Sequence, residues 1–163
     1  MNKMKNIIFI IVIIITMFTT TSCKVKEQTF SANGITVTLN SKFKQQEISG
    51  SQVVYVSRKI GFMGNQESKK LLNVEDNKLD VYTKKVVEVN NLKEIELFTY
   101  NQDGVVFMYG YYTSEVNNIK YKYMLVTKEG KDNYYTMNFW ALEKNFDQNK
   151  NKFIDWAKTI VVE

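Results

Sequence analysis

The chain has 163 residues, 44% of them hydrophobic and 13% aromatic, which is typical of one globular domain and excludes a disordered chain. It contains no histidine, no proline and one cysteine. Histidine, the commonest general base and the commonest transition-metal ligand, is therefore missing. A single cysteine has no partner within the chain, so an internal disulfide is excluded. The net charge is +5, and the basic residues are nearly all lysines. These lysines are spread along the chain and interleaved with acidic residues, so no nucleic-acid-binding surface is expected.

The first residues predict a signal peptide. Lys3 and Lys5 form a short basic start, and an apolar run from Ile7 to Phe18 follows it. A transmembrane helix needs about 20 apolar residues. This run is shorter and ends among threonines, so a secretory signal is favoured over the alternative, an uncleaved signal anchor.

The only cysteine, Cys23, comes directly after this segment and follows the small residues Thr20 to Ser22. This pattern resembles the lipobox of bacterial lipoproteins. The resemblance implies cleavage after Ser22 and attachment of a diacylglyceryl group to the sulfur of Cys23. We therefore expect a protein that is lipid-anchored in the cell membrane or outer membrane and faces outside the cytoplasm.

The expected organisation is a signal peptide over residues 1–22, a lipidated cysteine with a short tether over 23–28, and a single domain over 29–163. In the tether, Lys24 and Lys26 would each add about 1 kcal/mol of attraction to anionic headgroups.

The domain begins with a predicted hairpin. Thr29 to Ala32 and Ile35 to Leu39 read as strands, because Asn33-Gly34 favours a tight type I′ turn. Residues 40–50 read as a polar loop in which Phe43 plugs the core. Gln52 to Ser57 is the next predicted strand, and residues 61–77 are ambiguous, with a weak helical turn over 66–72.

The second half predicts a helix, four strands and a closing helix. From Leu79, apolar residues recur at helical spacing, with Asp76 or Asn77 as the cap, although Val87 and Val89 would also suit a strand. The strands then form an antiparallel meander, because their connectors are short. They run over Lys93 to Tyr100, Val105 to Ser114, Ile119 to Lys128 and Tyr134 to Leu142.

Two features predict layers on both sides of this meander. Residues 105–112 are apolar on both strand faces, which indicates a strand covered on both sides, with helices as the candidate covers. A closing helix, capped by Asp147 and reaching about Thr159, presents Phe153 and Trp156 on its apolar side.

Five segments stand out in this order of elements: Gly34 to Leu39, Asp80 to Tyr82, Tyr121 to Tyr123, Tyr134 to Phe139 and Phe153 to Ile160. With these segments the order of elements resembles the PsbP-like superfamily. The superfamily includes the extrinsic PsbP protein of photosystem II, a eukaryotic Ran-binding relative and many bacterial lipoproteins. The resemblance implies an α/β fold, an α/β/α sandwich around an antiparallel sheet, with non-enzymatic roles in docking or assembly.

The residues give little support for catalysis, a cofactor or a metal site. The serine–lysine pairs at Ser41-Lys42 and Ser68-Lys69 are not part of a catalytic motif, so we interpret them as ordinary polar loop residues. The carboxylate pairs Glu94 with Glu96 and Asp76 with Asp80 read as solvated surface. Neither Asp76 to Asp80 nor Asn101 to Gly104 has the spacing of a calcium loop.

A group of aromatic residues is the first place to look for a binding surface. Core packing is the default interpretation, but tyrosine-rich surfaces also make good recognition faces. The group lies on three adjacent predicted strands and comprises Tyr109, Tyr111, Tyr112, Tyr121, Tyr123, Tyr134, Tyr135, Phe139 and Trp140.

Three functions remain open from the sequence. The first is a membrane-tethered, non-catalytic module that binds a protein or a small apolar ligand, and a closed sandwich without a cleft would favour it. The second is an exported inhibitor or immunity lipoprotein against a toxin or hydrolase, which a projecting loop or a concentrated charge patch would favour. The third is a carboxylate-dependent hydrolase, which would need two converging carboxylates in a pocket.

Overall fold

The computed structural model describes residues 26–72, 78–92 and 94–163. The proposed signal peptide, Cys23 and the proposed helix caps Asp76 and Asn77 lie outside these ranges. The strands are β1 (Glu27–Ala32), β2 (Ile35–Asn40), β3 (Lys44–Gln45), β4 (Val53–Ser57), β5 (Ile60–Ser68), β6 (Leu97–Gln102), β7 (Val105–Val116), β8 (Ile119–Glu129), β9 (Asn133–Leu142) and β10 (Val161–Val162). The helices are α1 (Lys69–Leu72), α2 (Leu79–Val89), α3 (Glu143–Phe146) and α4 (Lys150–Lys158).

The strands form two antiparallel sheets. The large sheet has seven strands in the order β3-β4-β5-β9-β8-β7-β6, and the small sheet has three in the order β1-β2-β10. Strands β6 to β9 pair in sequence as the predicted meander. The predicted hairpin is also confirmed, because β1 and β2 pair across a turn in which Asn33 and Gly34 both have positive φ.

The main core lies between the large sheet and a layer made by the small sheet and α4. Ile35, Val37 and Leu39 alternate inward along β2 and are fully buried, as their period-2 spacing predicts. From α4, Phe153 packs against Phe139 of β9 with ring centroids 5.4 Å apart. The predicted plug, Phe43, is buried in the same core.

A second, smaller core lies on the other face of the large sheet, under α2. Tyr82 and Val86 of this helix pack with Leu125 of β8 and Tyr134 of β9. The predicted α/β class, with an antiparallel sheet covered on both faces, is therefore confirmed. The cover on the main-core face combines α4 with the small sheet, where the sequence suggested helices alone.

Two local predictions were wrong, and one open segment is resolved. The segment that the sequence leaves ambiguous contains the regular strand β5, between β4 and β9, and the weak helical turn over 66–72 corresponds in part to α1 (Lys69–Leu72). Asp147 does not cap α4: it follows α3 and pairs with Lys122 at 3.5 Å, whereas Asn149 precedes α4. Val106 on β7 is 44% exposed, because α2 does not reach it, so this strand is not covered on both sides along its whole length.

Across residues 26–72, 78–92 and 94–163, no helix is long and apolar enough to cross a membrane.

Candidate binding site

Helix α2 covers only part of its sheet face and leaves an aromatic surface beside it. Tyr112 pairs with Tyr123, and Tyr123 pairs with Trp140, so their side chains stand in one row across β7, β8 and β9. Tyr121 lies two residues further along β8 on the same face. All four side chains are partly exposed. We call Tyr112, Tyr121, Tyr123 and Trp140 the open aromatic face.

The rings of the open aromatic face are held in fixed positions. Tyr112 and Tyr123 stack in parallel, with centroids 4.9 Å apart and an interplanar angle of 8°. The Tyr112 hydroxyl donates a hydrogen bond to Oδ1 of Asn138 at 3.0 Å. Burial raises the pKa of Tyr112 well above its ordinary value, and the neighbouring Tyr123 raises it further. The hydroxyl therefore stays protonated and able to donate at neutral pH.

Trp140 lies flat against Gly61 of β5, its cross-strand partner. A Cβ atom at position 61 would lie 2.0 Å from Cζ2 of the indole, which no real side-chain contact permits. Glycine is required here because the indole occupies the space that any side chain would need. The ring thus extends the aromatic surface from β9 across β5.

We expect Gly61→Ala to lower the free energy of unfolding by about 1–3 kcal/mol, because the methyl group must push the indole away. Thermal unfolding measures the loss, and tryptophan emission reports the ring's displacement. In a Trp140→Ala background the same substitution should cost much less, since the obstructing ring is gone. Equal losses in the two backgrounds would contradict the contact.

A cleft of about 570 Å³ lies between α2 and the open aromatic face. Met63 and Asn138 of the sheet contribute to its floor, the loop at Gly50 and Ser51 forms one wall, and the C-terminal half of α2 forms the other. Tyr112 lines the cleft as well, so the cleft and the open aromatic face make one continuous surface. A cavity of this size accepts a small ligand or an inserted side chain.

A hydrogen-bond network closes the inner end of the cleft. The hydroxyl of Tyr82 donates to Glu67 Oε2 and lies 2.6 Å from Oγ1 of Thr136. Burial raises the pKa of Tyr82 far above its ordinary value, and the hydrogen bond to Glu67 adds to this rise. The tyrosine therefore remains neutral and ties α2 to β5 and β9.

Asn65 fixes the loop wall of the cleft. Its Oδ1 accepts a hydrogen bond from the backbone N–H of Gln52 at 2.7 Å, and its Nδ2 donates to the carbonyl of Gly50 at 3.2 Å. Both bonds join β5 to the loop before β4, so the wall is preformed.

The described lining of the cleft carries two charged side chains. Among its described lining residues, Glu67 is the one carboxylate, and the lysine, Lys85, donates to the backbone carbonyl of Leu72 at 3.0 Å. Two converging carboxylates, which a glycoside hydrolase needs, are not found in this lining. Within the described parts of the chain, no three His, Cys, Asp or Glu residues are placed to hold a metal ion.

The other polar pairs considered from the sequence lie apart from the cleft's chemistry. Lys69 forms an ion pair with Glu129 at 2.6 Å, and Asp80 pairs with Lys84 at 3.3 Å within α2. Glu94 and Glu96 are exposed and precede β6. These positions behave as ordinary surface.

The fold is similar to several solved structures over most of its length. Cyanobacterial PsbP (CyanoP) from Synechocystis sp. PCC 6803 has a TM-score of 0.59 at 14% identity, with 85% of this chain and 94% of that chain covered. The Ran-binding protein Mog1p of Saccharomyces cerevisiae has a TM-score of 0.54 at 10% identity, with 85% and 96% covered. A protein of unknown function from Pseudomonas aeruginosa has a TM-score of 0.52 at 9% identity, with 84% and 97% covered.

The chain has a PsbP-like fold. At these identities the likeness establishes the fold and leaves the function to be argued from the site. No protein-family model matches the sequence, and no curated protein matches it either.

Within this PsbP-like fold, the predicted aromatic group divides into buried core residues and a partly exposed surface. Tyr134, Tyr135 and Phe139 are fully buried, so the core interpretation holds for them. Tyr109 and Tyr111 pack against the main core. The remaining four form the open aromatic face. Gly61, Met63 and Glu67 could not be predicted as site residues, because β5 is not recognisable as a strand from the sequence. Tyr82 was predicted only as a helix residue.

Proposed function

We propose that this chain is an exported, lipid-anchored protein whose domain binds a protein partner without catalysis. The structure has a cleft, whereas the expectation from the sequence for this function is a closed sandwich without one. The proposal is therefore carried by the open aromatic face, which no described element covers and which continues into that preformed cleft. Tyrosine and tryptophan are enriched at binding hot spots because they bury much apolar area at little cost in conformational entropy. Their rings are already held in place, which lowers the cost of binding further.

The shape of the site favours a protein over a free small molecule. A small ligand would occupy the cleft alone and leave the rings of Tyr121 and Trp140 exposed. A protein segment can insert one side chain into the cleft and cover these rings with its neighbours. The solved structure of Mog1p, described as a Ran-binding protein, is an instance of a similar fold that binds another protein.

Site-specific photo-cross-linking in cells tests the proposed surface. A photoreactive amino acid at Tyr121 or Met63 should cross-link to the same partner, whereas one at Phe98 should not. Phe98 is a suitable control because it is an aromatic residue, 36% exposed, on edge strand β6 and on the opposite sheet face. Cross-links of equal strength from all three positions, or from none, would contradict the proposal. Cross-linking to a small molecule alone would favour the small-ligand alternative.

An exported inhibitor is the second candidate, because the hairpin of β7 and β8 projects from the fold. Leu142, the last residue of β9, pairs with Tyr121, so the hairpin runs on beyond the neighbouring strand. Val116 and Ile119 at its tip are 48% and 46% exposed. A toxin or hydrolase bound in this way would cross-link from Ile119 and not from Met63 in the cleft.

The proposed lipid anchor at Cys23 can be tested separately from the binding surface. Cys23→Ser removes the acceptor of the diacylglyceryl group, so we expect the protein to leave the membrane fraction and to incorporate no labelled palmitate. The reason is that each buried methylene of the acyl chains contributes about 0.8 kcal/mol of membrane binding. Trp140→Ala, which changes the binding surface but not the anchor, should stay in the membrane fraction. Palmitate incorporation into the Cys23→Ser variant would contradict the assignment.

A further inference from the structure

At one end of the fold, the start of β1 lies near the ends of several strands of the large sheet. We call this end of the fold the entry end. It is defined by a line of pairs across the large sheet: Lys44 pairs with Val56, Ile60 pairs with Ala141, and Ala141 pairs with Lys122. The turn between β4 and β5 and the tip of the β7–β8 hairpin lie at this end.

Strand β1 starts at the entry end as well. Glu27, its first residue, pairs with Asn40, and the backbone N–H of Ser41 donates to the carbonyl of Lys26 at 2.7 Å. From Asn40 the chain reaches Lys44 in four residues and joins the large sheet there. Lys26, the first residue that the structure describes, therefore lies at this end.

Basic side chains outnumber acidic ones at the entry end. Lys122 and Asp147 pair with each other and do not enter the balance. The exposed basic residues are Lys26, Lys42, Lys44, Arg58, Lys59, Lys120 and Lys144, and the acidic ones are Glu27, Glu115 and Glu143. The opposite end, apart from the Lys69–Glu129 ion pair, carries Glu67, Asp103, Asp132 and Glu163 with Lys70 and Lys131. The positive charge of the domain is thus concentrated where the chain enters it.

The hairpin tip adds exposed apolar surface to the same end. Val116 and Ile119 flank the turn residues Asn117 and Asn118, whose φ angles of 52° and 62° make a tight turn. The tip is therefore a rigid, apolar projection beside Lys120. Basic residues around exposed aliphatic side chains suit an interface with anionic headgroups and the acyl chains beneath them.

The length of the tether brings this end to the membrane. Lys26 is the third residue after Cys23. An extended chain covers at most about 3.6 Å per residue, so a lipidated Cys23 holds Lys26 within roughly 11 Å of the headgroups. This distance is close to the Debye length of about 8 Å at physiological ionic strength, so surface charges at the entry end feel the membrane.

We propose that the entry end docks on an anionic lipid surface, with the tip of the β7–β8 hairpin at or in the headgroup layer. The inference rests on the lipid anchor of the proposed function. It also assigns an orientation: the Gly50–Ser51 wall of the cleft and Glu67 lie toward the opposite end of the strands. Docking therefore directs the cleft away from the membrane and leaves it open to a partner, while Tyr121, two residues from Ile119 on β8, marks the membrane-facing edge of the open aromatic face.

The sequence allows a clean labelling test, because its lone cysteine is consumed by the anchor and any introduced thiol is unique. Asn118→Cys places an environment-sensitive fluorophore at the hairpin tip. Asp103→Cys is the matched control, an exposed turn residue of positive φ at the opposite end. Each full-length lipidated protein is reconstituted on vesicles of phosphatidylglycerol and phosphatidylcholine in equal parts.

We expect the emission from position 118 to shift to shorter wavelength on these vesicles, while that from position 103 stays unchanged. The shift should weaken on pure phosphatidylcholine and at high salt, because both reduce the attraction of the basic residues. Proteins that float with the vesicles but show no shift at position 118, or equal shifts at both positions, would overturn the docking while leaving the anchor intact. Failure to float would instead refute the anchor, and the inference with it.

Charge variants test whether the basic residues of the entry end bind the membrane or are merely held close to it by the anchor. Lys42→Glu with Lys44→Glu should abolish the shift at position 118 without releasing the protein from the vesicles. Lys70→Glu with Lys131→Glu, the same charge change at the opposite end, should leave the shift in place. Equal effects of the two pairs would overturn a role for the entry end. A protein cross-link formed from Ile119 in cells would do the same, because it would place a protein partner where we place lipid.

Discussion

Replacing Trp156 by alanine is expected to lower the free energy of unfolding by about 3–5 kcal/mol. Trp156 is 5% exposed and joins α4 to the large sheet. Its indole meets Phe43 edge-on with centroids 5.3 Å apart and lies 6.1 Å from the ring of Phe139. Alanine would remove these contacts and leave a cavity between three elements that the backbone cannot easily close.

Urea unfolding followed by far-ultraviolet circular dichroism measures this loss, since removing a tryptophan alters the fluorescence signal. Trp140→Ala is the matched control: the same substitution at a partly exposed ring should cost clearly less, because less apolar area is buried there. An unfolding midpoint for Trp156→Ala equal to that of the unchanged protein would show that α4 does not belong to the core.

The parts of the fold that the sequence predicted are those with a strong local pattern. Ile35, Val37 and Leu39 alternate with threonines after Asn33-Gly34, so hairpin and strand follow from turn chemistry and period-2 spacing. The helix from Leu79 follows in the same way from spacing. Helix α4 was predicted correctly from Phe153 and Trp156, but its start was not, because no side chain caps it.

Strand β5 escaped prediction because glycines interrupt its apolar pattern. Gly61 and Gly64 stand at positions where Trp140 and Ile35 fill the space against the backbone. Their role appears only when β5 is paired with β9, which is a contact between residues far apart in sequence. The two-residue strand β10 is too short to leave any periodic signal.

The sequence predicted that the candidate site is an aromatic surface, but it did not predict which aromatic residues form it. Tyrosines and a tryptophan on neighbouring strands indicated a recognition surface. Which of them share a face depends on the register that aligns Tyr112, Tyr123 and Trp140, and short connectors do not fix that register. The cleft depends further on where α2 crosses the sheet, which is decided by packing around Tyr82.

Alkaline pH is expected to destabilise the protein through its buried tyrosines, with Tyr82 the most informative. The folded-state pKa of Tyr82 lies above its ordinary value of 10.0 because of burial and the hydrogen bond to Glu67. Below pH 10 both states keep the proton, so its contribution to stability is fully present. Above pH 10 the unfolded chain loses a proton that the folded chain retains, and stability falls by about 1.4 kcal/mol per pH unit for this group.

Tyr82→Phe should therefore change the pH dependence as well as the stability. At neutral pH we expect a loss of about 1–2 kcal/mol, since Glu67 and Thr136 each lose a hydrogen-bonding partner. Above pH 10 the variant should lose stability less steeply than the unchanged protein, so that their unfolding midpoints converge. Thr136→Val is the matched control, because it removes a partner of the hydroxyl but keeps the titrating tyrosine and so keeps the steep slope. Parallel curves for Tyr82→Phe and the unchanged protein would show that this hydroxyl is not held protonated by the fold, and equal stability at neutral pH would show that the network closing the inner end of the cleft does not tie α2 to the sheet.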